Sequence, residues 1–267
     1  MADRRIAVAA TAPFGADVLE RLARRHDVAL LLTRPDRPRG RGRKVAPTAA
    51  KEVAERLGIP IAQPARLDGD VELPAETVVV AAYGLLVPDE LLERALWLNV
   101  HPSLLPRWRG AAPVERALMA GDARTGVTIH RTTPELDAGP IAAQEAFDVD
   151  PAEDAGSVYE RSAELAARLL DGVLAGPQFT PQSAEGVTYA EKIGPADREL
   201  ELSRPASELV DRVRALSPHI GARAVLDGRP LIVWRARTGG DGSFEPLEVQ
   251  PEGGRRMPYA EYLRGRR

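Results

Sequence analysis

The sequence predicts an α/β fold with a Rossmann-like, mostly parallel sheet, followed by a small β-rich domain. In the first two thirds of the 267 residues, short apolar runs alternate with helical patterns, which is typical of a parallel sheet covered by helices. Hydrophobic residues make up 44% of the chain and charged residues 28%, which favours a packed globular protein over a disordered one. Near the C-terminus, short β-like runs flank an Asp-Gly pair, which predicts a hairpin.

The composition excludes several classes of function. The chain has no cysteine, and therefore no disulfide, no thiolate metal ligand and no cysteine nucleophile. Its net charge is −3, so any binding of nucleic acid must come from a local patch. The N-terminal residues lack the long apolar core of a signal peptide, and no apolar run approaches the ~20 residues that cross a bilayer. With the absence of cysteine, this leads us to expect a cytoplasmic protein.

The elements of the first half follow from apolar runs and their periodicity. Val18, Leu19 and Leu22 share one face of the first helix, and Thr48 and Gly58 suit the start and end of the second. The run T-V-V-V-A-A predicts a strand that is buried on both faces. In order, strands are predicted at 5–10, 27–33, 59–63, 77–82 and 95–101, and helices at 14–25, 48–58 and 88–95.

The second half begins with the same alternation and then loses it. We predict helices at 113–120, 154–175, 205–216 and 258–264, and strands at 126–131, 140–149, 223–226, 230–237 and 245–250. Gly, Pro, Gln and Ser accumulate between residues 176 and 202, which indicates a linker. The predicted domains are therefore a large catalytic domain at 1–180, a linker at 181–205 and a reduced β-rich domain at 206–267.

Two polar side chains stand at the end of the apolar strand that leads to His101. Strand side chains alternate between faces, so Asn99 and His101 lie on the same side. A carboxamide and an imidazole directed at one point suit a developing oxyanion. Pro102 and Pro106 end the strand and stiffen the loop after it. The alternative is a strand end with two satisfied polar side chains.

A carboxylate in a later loop completes the candidate site. Asp137 stands before a predicted strand and is followed by Ala138 and Gly139, which let a substrate approach closely. Together the three polar groups predict an acyl-transfer site, in which Asn99 and His101 bind a carbonyl oxygen and Asp137 handles the proton. For Asp137 alone, the alternative is an Asp turn or a helix cap.

Three ordered blocks resemble the folate-dependent formyltransferases: N-V-H-P-S-L-L-P-R-W-R-G-A-A-P at 99–113, G-D-A-R-T-G-V-T-I at 121–129 and E-L-D-A-G-P-I at 135–141. The resemblance extends to segments 34–44, 81–88 and 247–257, and so covers nearly the whole chain. It is closest to the members of the family that formylate methionyl-tRNA. It implies formyl transfer from 10-formyltetrahydrofolate to an amine, with Asn99, His101 and Asp137 matching the catalytic residues of the family.

The resemblance also implies where the co-substrate binds. In the family, the folate pocket is built largely from the backbone of the loops that match residues 83–87 and 137–139. The chemistry needs no metal. The implied co-substrate residues are Tyr83, Gly84, Leu85, Leu86, Ser103, Leu104, Leu105, Pro106, Ala138 and Gly139.

The segment from Arg34 to Lys44 holds six basic residues against one acid, Asp36. Its glycines and prolines keep it from forming a helix. A charge run of this kind is usually a solvated surface loop. The family, however, has a tRNA-contacting loop at this place, so the resemblance implies initiator methionyl-tRNA as the partner. We expect the enzyme to be a monomer. The implied tRNA-binding residues are Arg37, Arg39, Arg41, Arg43 and Lys44.

Two features depart from the family pattern. Ala10 stands where the turn after the first strand usually has a glycine, which affects how closely a ligand or the backbone approaches there. The C-terminal part is also short, because the hairpin that ends at Arg237 passes almost directly to the terminal block at Leu247. We therefore expect a reduced, OB-like domain with too few strands to close a barrel.

Three other functions are open from the sequence. A sugar-nucleotide N-formyltransferase would share the Asn–His–Asp set, and V-T-I-H-R at 127–131, with its His130, resembles that group. A 10-formyltetrahydrofolate hydrolase would use water as the acceptor and would need no basic loop. A noncatalytic RNA-binding protein on the same scaffold would be expected to have lost the set.

Overall fold

The computed structural model describes residues 4–39 and 44–265 and shows two compact units. The first consists of the described residues of Met1–Arg109, Gly126–Ala146 and Glu160–Thr188. The second consists of those of Gly110–Thr125, Phe147–Tyr159 and Tyr189–Arg267. The predicted domains, with boundaries at residues 180 and 205, are continuous ranges of the chain, whereas each of these units combines separate segments. The predicted boundaries stay a prediction.

The strands and helices are numbered in chain order. The strands are β1 (Arg5–Ala10), β2 (Asp27–Leu32), β3 (Arg37–Arg39), β4 (Lys44–Ala46), β5 (Ile61–Ala62), β6 (Thr77–Ala81), β7 (Leu96–His101), β8 (Arg109–Gly110), β9 (Arg124–Arg131), β10 (Ile141–Asp148), β11 (Tyr189–Ala190), β12 (Ala222–Leu226), β13 (Arg229–Thr238), β14 (Phe244–Pro251) and β15 (Met257–Pro258). The helices are α1 (Pro13–Ala23), α2 (Ala49–Leu57), α3 (Asp89–Arg94), α4 (Pro113–Met119), α5 (Ala155–Ala175), α6 (Ala206–Leu216) and α7 (Tyr259–Arg264).

A seven-stranded sheet in the order β10-β9-β7-β6-β1-β2-β5 organises the first unit. The pairs from β7 through β6, β1 and β2 to β5 are parallel, and β9 runs antiparallel to β7. The middle strands β1 and β6 are almost entirely buried, as expected for a parallel sheet with both faces covered. The predicted α/β class with a mostly parallel sheet is therefore confirmed.

The helix signals of the sequence act as predicted in α1 and α2. Helix α1 begins with Pro13 at its first position and buries Val18, Leu19 and Leu22. At the start of α2, the Thr48 hydroxyl accepts a hydrogen bond from the backbone amide of residue 51. Gly58 ends α2 in the left-handed conformation, with φ at +69°. These contacts fix the connections between the parallel strands.

The second unit contains a four-stranded antiparallel sheet in the order β12-β13-β14-β15. Its buried face includes Leu231, Val233 and Val249, which share a core with Leu209 and Val213 of α6. Within the described residues, β12 and β15 do not pair with each other, so this sheet is open. The predicted reduced β-rich domain is confirmed, and the short connection after β13 explains why so few strands are present.

The basic segment differs from the irregular loop that its glycines and prolines predict. Strands β3 and β4 pair antiparallel, with Arg37 opposite Ala46 and Pro38 opposite Val45. Periodicity could not reveal strands of three residues, because they are too short for an alternating pattern. Predicted residues Arg41 and Arg43 lie outside the described residues.

Candidate active site

Strand β7 and its antiparallel neighbour β9 carry three of the polar side chains of the site. Asn99 pairs with His130, and His101 pairs with Thr128. Residues opposite each other in an antiparallel pair point to the same face, and so do residues two apart on one strand. Asn99, His101 and His130 therefore share a face, as the spacing of Asn99 and His101 predicts. His101 and His130 are buried, with 4% and 1% of their surface exposed.

The Asn99 carboxamide donates from Nδ2 to two partners. One is Oδ1 of Asp137, at 3.0 Å, and the other is Nε2 of His130, at 3.1 Å. His130 can accept there because its other ring nitrogen, Nδ1, donates to the carbonyl oxygen of Arg131 at 3.0 Å. The neutral tautomer of His130 thus fixes which way the Asn99 amide faces.

The His101 ring is held by its own backbone loop. Its Nε2 donates to the carbonyl oxygen of Trp108 at 2.7 Å, and its Nδ1 lies 3.6 Å from Oδ2 of Asp137. Burial lowers the pKa of the imidazole below its usual value, against the opposing effects of the Asp137 carboxylate and the Trp108 carbonyl. The neutral form therefore predominates near pH 7, with its proton on Nε2 and an acceptor lone pair on Nδ1.

Asp137 occupies a backbone conformation that few residues with a side chain adopt. Its φ is +47°, in the left-handed region. The loop then returns close to β9: a Cβ atom at Gly139 would clash with the carbonyl oxygen of Arg131. This conformation brings the Asp137 carboxylate, 11% exposed, to Asn99 and His101. The structure thus brings together all three predicted catalytic residues.

The loop that contains four predicted co-substrate residues follows β6. Tyr83 is buried, and its hydroxyl has no hydrogen-bond partner among the described residues. Burial raises the pKa of Tyr83 to about 12, although the Arg34 guanidinium opposes this. Gly84 is exposed with a φ of +78°, Leu85 is half-buried, and Leu86 is 85% exposed. The loop therefore presents backbone and one apolar side chain to solvent.

The predicted co-substrate residues 103–106 are largely occupied by contacts within the protein. The Ser103 hydroxyl donates to the carbonyl oxygen of Arg107, and its own carbonyl accepts from Thr128. The amide of Leu105 donates to the Thr128 hydroxyl, and the carbonyl of Leu105 accepts from Gln144. Leu104 and Pro106 are half-buried, as is Ala138 of the Asp137 loop, whereas Gly139 is buried.

A cavity of about 750 Å³ lies beside the start of β7 and both ends of the Asp137 loop. Its volume is in the range of small-molecule sites. The hydroxyl of Thr132 is buried there without a hydrogen-bond partner among the described residues. None of the predicted co-substrate residues lines this cavity, and only Pro140 in its lining directly follows one of them in the chain. The lining includes Asp89, Leu92, Trp97, Thr132, Thr133, Pro134 and Pro140.

The base of the basic hairpin is held by polar side chains. Lys51 donates from Nζ to Asp36 and to Gln63, and Gln63 donates to Asp36 and to the carbonyl oxygen of Arg34. Arg37 is exposed. Arg39 and Lys44 stand at the paired ends of β3 and β4, nearest to residues 40–43.

Two residues of the site were missed from the sequence. His130 was noted only as a resemblance to sugar enzymes, although its place in an alternating strand could have predicted that it faces Asn99. Gln182 donates to the carbonyl oxygens of Asp137 and Gly139, from a segment predicted as a linker. No local pattern reveals such a contact over 45 residues. In the described part of the chain, no group of three or more His, Asp or Glu side chains is arranged to hold a metal ion.

Comparisons with known proteins agree on one family. The family model "Formyl transferase" matches residues 4–174, and "Formyl transferase, C-terminal domain" matches residues 192–241. The methionyl-tRNA formyltransferase of Dechloromonas aromatica is 39% identical over 96% of this chain and 94% of its own length.

Two solved structures share the fold. Methionyl-tRNA formyltransferase from Clostridium thermocellum has a TM-score of 0.65 at 15% identity, over 92% of this chain and 98% of that one. HypX from Aquifex aeolicus, in complex with tetrahydrofolic acid, has a TM-score of 0.65 at 16% identity over 97% of this chain. This chain spans about half the length of HypX (46%). At these identities the two structures show a shared fold.

Proposed function

The chain belongs to the formyl transferase family, and on that premise we infer that it transfers a formyl group to the amino group of methionyl-tRNA. Relatives that carry this name are 37–40% identical over most of the chain. The protein is thus an enzyme of the formyltransferase class. We place the active site in the first unit because Asn99, His101 and Asp137 converge there.

The proposed donor is 10-formyltetrahydrofolate. It supplies a formyl carbon that bonds to the amine nitrogen as its bond to N10 of the folate breaks, with one proton leaving the amine and one reaching N10. One structural observation fits such a ligand: the cavity of about 750 Å³ beside the ends of the Asp137 loop. Trp97 and Leu92 provide its apolar wall. Tetrahydrofolic acid in HypX supports the proposal.

Asn99 and His130 provide the electrostatic part of the mechanism. We assign to the Asn99 Nδ2 group a hydrogen bond to the formyl oxygen, on which negative charge develops during attack by the amine. Both of its protons have partners in this structure, Asp137 and His130. One of these contacts is exchanged for the substrate oxygen, and the other keeps the amide oriented. A donor held in place before the reaction needs no reorganisation during it.

We assign to His101 and Asp137 the proton that the attacking amine loses. Neutral His101 presents an acceptor at Nδ1, and Asp137 presents a carboxylate oxygen 3.6 Å from it. A proton placed between His101 Nδ1 and the Asp137 carboxylate would be shared by two acceptor atoms. This pair is therefore suited to take one from the attacking amine. His101 keeps its orientation meanwhile, because Nε2 remains bonded to the Trp108 carbonyl. Water can connect the amine with this pair.

The proposed acceptor partner is the initiator methionyl-tRNA, bound through the basic hairpin. Exposed Arg37 and the position of Arg39 and Lys44 at the hairpin ends support this proposal. Asp36, Lys51 and Gln63 hold the base of the hairpin in place. Lys and Arg contacts to phosphates make binding dependent on salt.

One assay with three acceptors tests the function. Purified full-length protein is mixed with 10-formyltetrahydrofolate carrying a labelled formyl group, and with methionyl-initiator tRNA, a dTDP-amino sugar or water alone. We expect label on methionyl-tRNA only. Two results would overturn the proposal. One is label on the sugar alone, which is checked because the segment around His130 resembles the sugar enzymes. The other is release of formate at the same rate with water alone.

A further inference from the structure

The side chain of Gln182 connects two parts of the first unit. Its Nε2 donates to the carbonyl oxygen of Asp137 at 2.7 Å and to that of Gly139 at 2.8 Å. Its Oε1 accepts from the Arg109 guanidinium, at 3.2 Å from Nε and 2.8 Å from Nη2. Both amide protons and both oxygen lone pairs are therefore used.

These partners leave one orientation for the amide. A guanidinium can only donate and a carbonyl oxygen can only accept, so Oε1 must face Arg109 and Nε2 must face the loop. Arg109 is itself 7% exposed, and its Nη1 lies 3.6 Å from Oε1 of Glu135 at the other end of the loop. Arg109 and Gln182 thus brace the loop on both sides of Asp137.

The same contacts maintain the unusual backbone of Asp137. A left-handed conformation is uncommon in a residue with a side chain and persists only where the surroundings impose it. Gln182 holds the carbonyl groups of residue 137 itself and of residue 139, two positions later. Without these two hydrogen bonds, the loop can relax toward negative φ, and the carboxylate then leaves Asn99 and His101.

We propose that Gln182 is a positioning residue for formyl transfer, which places the Asp137 carboxylate through two hydrogen bonds to the backbone of its loop. The proposal rests on the role assigned to Asp137 above. Gln182 touches neither Asn99 nor His101 among the described hydrogen bonds, so its effect passes through Asp137. It also gives a function to a stretch that composition marks as a linker.

The test replaces the donors of Gln182 and keeps its size. Gln182→Glu retains an oxygen that accepts from Arg109. It replaces the Nε2 group, which donates to the two loop carbonyls, with an oxygen that can only accept. Gln182→Met has a similar length without charge, and it keeps the test valid if Gln182→Glu does not fold. We expect kcat to fall about ten- to a hundredfold, the scale on which a small misplacement of a reacting group acts. KM for both substrates should stay within about twofold, and the pH profile of kcat should shift.

Gln250→Glu in the second unit is the matched control. Gln250 likewise donates to a carbonyl oxygen, that of Gly254, and accepts from the Trp234 ring nitrogen. This variant should keep the kcat and the pH profile of the parent. Melting curves of all variants separate loss of positioning from loss of fold.

A double-mutant cycle with Asp137→Asn decides the inference. In that background, Gln182→Met should lower kcat by no more than about twofold, because the group that Gln182 positions is already disabled. Two results overturn the role of Gln182 and leave the proposed function intact. One is an equal fall in kcat in both backgrounds. The other is a parental kcat and pH profile in the Gln182 variants while Asp137→Asn is impaired. Full kcat in Asp137→Asn overturns the role of Gln182 together with the role assigned to Asp137, and leaves formyl transfer itself intact.

Discussion

Nδ1 of His101 lies 3.6 Å from Oδ2 of Asp137, and neither atom carries a proton when the imidazole is neutral and the carboxyl is ionised. The Trp108 carbonyl holds the ring proton on Nε2, which prevents the tautomer that would pair Nδ1–H with the carboxylate. The pair therefore has room for one further proton. That property connects the static geometry to formyl transfer and leads to the first prediction.

The activity should decline on the acid side with the titration of His101. Burial lowers the pKa of this imidazole, so its acceptor Nδ1 is present above that lowered pKa and is lost as the pH falls through it. We predict that kcat at saturating substrates is constant above neutral pH and declines with a midpoint below about 6.5. His26→Asn, which changes another buried histidine, bonded to Asp171, should leave this profile unchanged. A midpoint above pH 7.5 would contradict the assignment.

Replacing His130 should impair catalysis more than binding. His130→Leu removes the acceptor at 3.1 Å from Asn99 Nδ2, so the amide is no longer held toward the formyl oxygen. Removing an oxyanion donor outright typically costs about a hundred- to a thousandfold in rate, and His130→Leu only displaces one, so we expect about a tenfold lower kcat. Steady-state kinetics with a melting curve test this. Unchanged kcat in a folded variant would show that Asn99 does not need His130.

The basic hairpin should control the affinity for tRNA and its dependence on salt. We predict that Arg41→Ala and Arg43→Ala each raise KM for methionyl-tRNA and lower the slope of log affinity against log salt by about one. Arg24→Ala, which removes an exposed arginine paired with Glu20 in α1, is the control and should change neither. Binding at several salt concentrations measures both quantities. Equal slopes in all variants would argue against phosphate contacts here.

Glu115 should limit stability at neutral pH. Burial raises the pKa of this carboxyl, although the Tyr159 hydroxyl donates to it at 2.8 Å. A folded-state pKa above the unfolded one means that the contribution to stability is present at low pH and is lost as the pH rises through the folded pKa. Glu115→Gln should therefore raise the melting temperature at pH 7, and the gain should disappear below about pH 4.

A control of opposite sign is available for that prediction. The Arg168 guanidinium lowers the pKa of the exposed carboxyl of Glu145, so its contribution is present at neutral pH and is lost in acid. Glu145→Gln should give no gain in melting temperature at pH 7. Melting curves from pH 4 to 8 cover both variants, and a gain for Glu115→Gln that is independent of pH would contradict the explanation.

The contrast between β7 and the Asp137 loop shows what the sequence could predict. Asn99 and His101 share a face because strand geometry alone determines it, so the prediction needed no knowledge of the fold. The conformation of Asp137, in contrast, depends on a positive φ and on Gln182, 45 residues later. Such contacts between distant segments have no local signal. The local pattern marks Asp137 only as a candidate carboxylate, the resemblance to a family matches it to a catalytic residue, and the structure supplies the reason for its position.

Residues 103–106 show a different limit. The family pattern assigns Ser103 and Leu105 to the folate pocket, whereas their hydrogen-bonding groups serve Arg107, Thr128 and Gln144. A sequence block can match because it builds the support of a site as well as its surface. The role of these residues toward the co-substrate stays a prediction.

Single-turnover formylation by Asp137→Asn tests the central claim most directly. Enzyme in excess over methionyl-tRNA, at saturating 10-formyltetrahydrofolate, reports the transfer step without product release. The amide keeps the size of the carboxylate but cannot accept a proton, so we predict a rate at least about a hundredfold below the parent with unchanged tRNA affinity. A rate within about threefold of the parent would contradict the assignment of Asp137 and His101 as the pair that receives the proton of the amine.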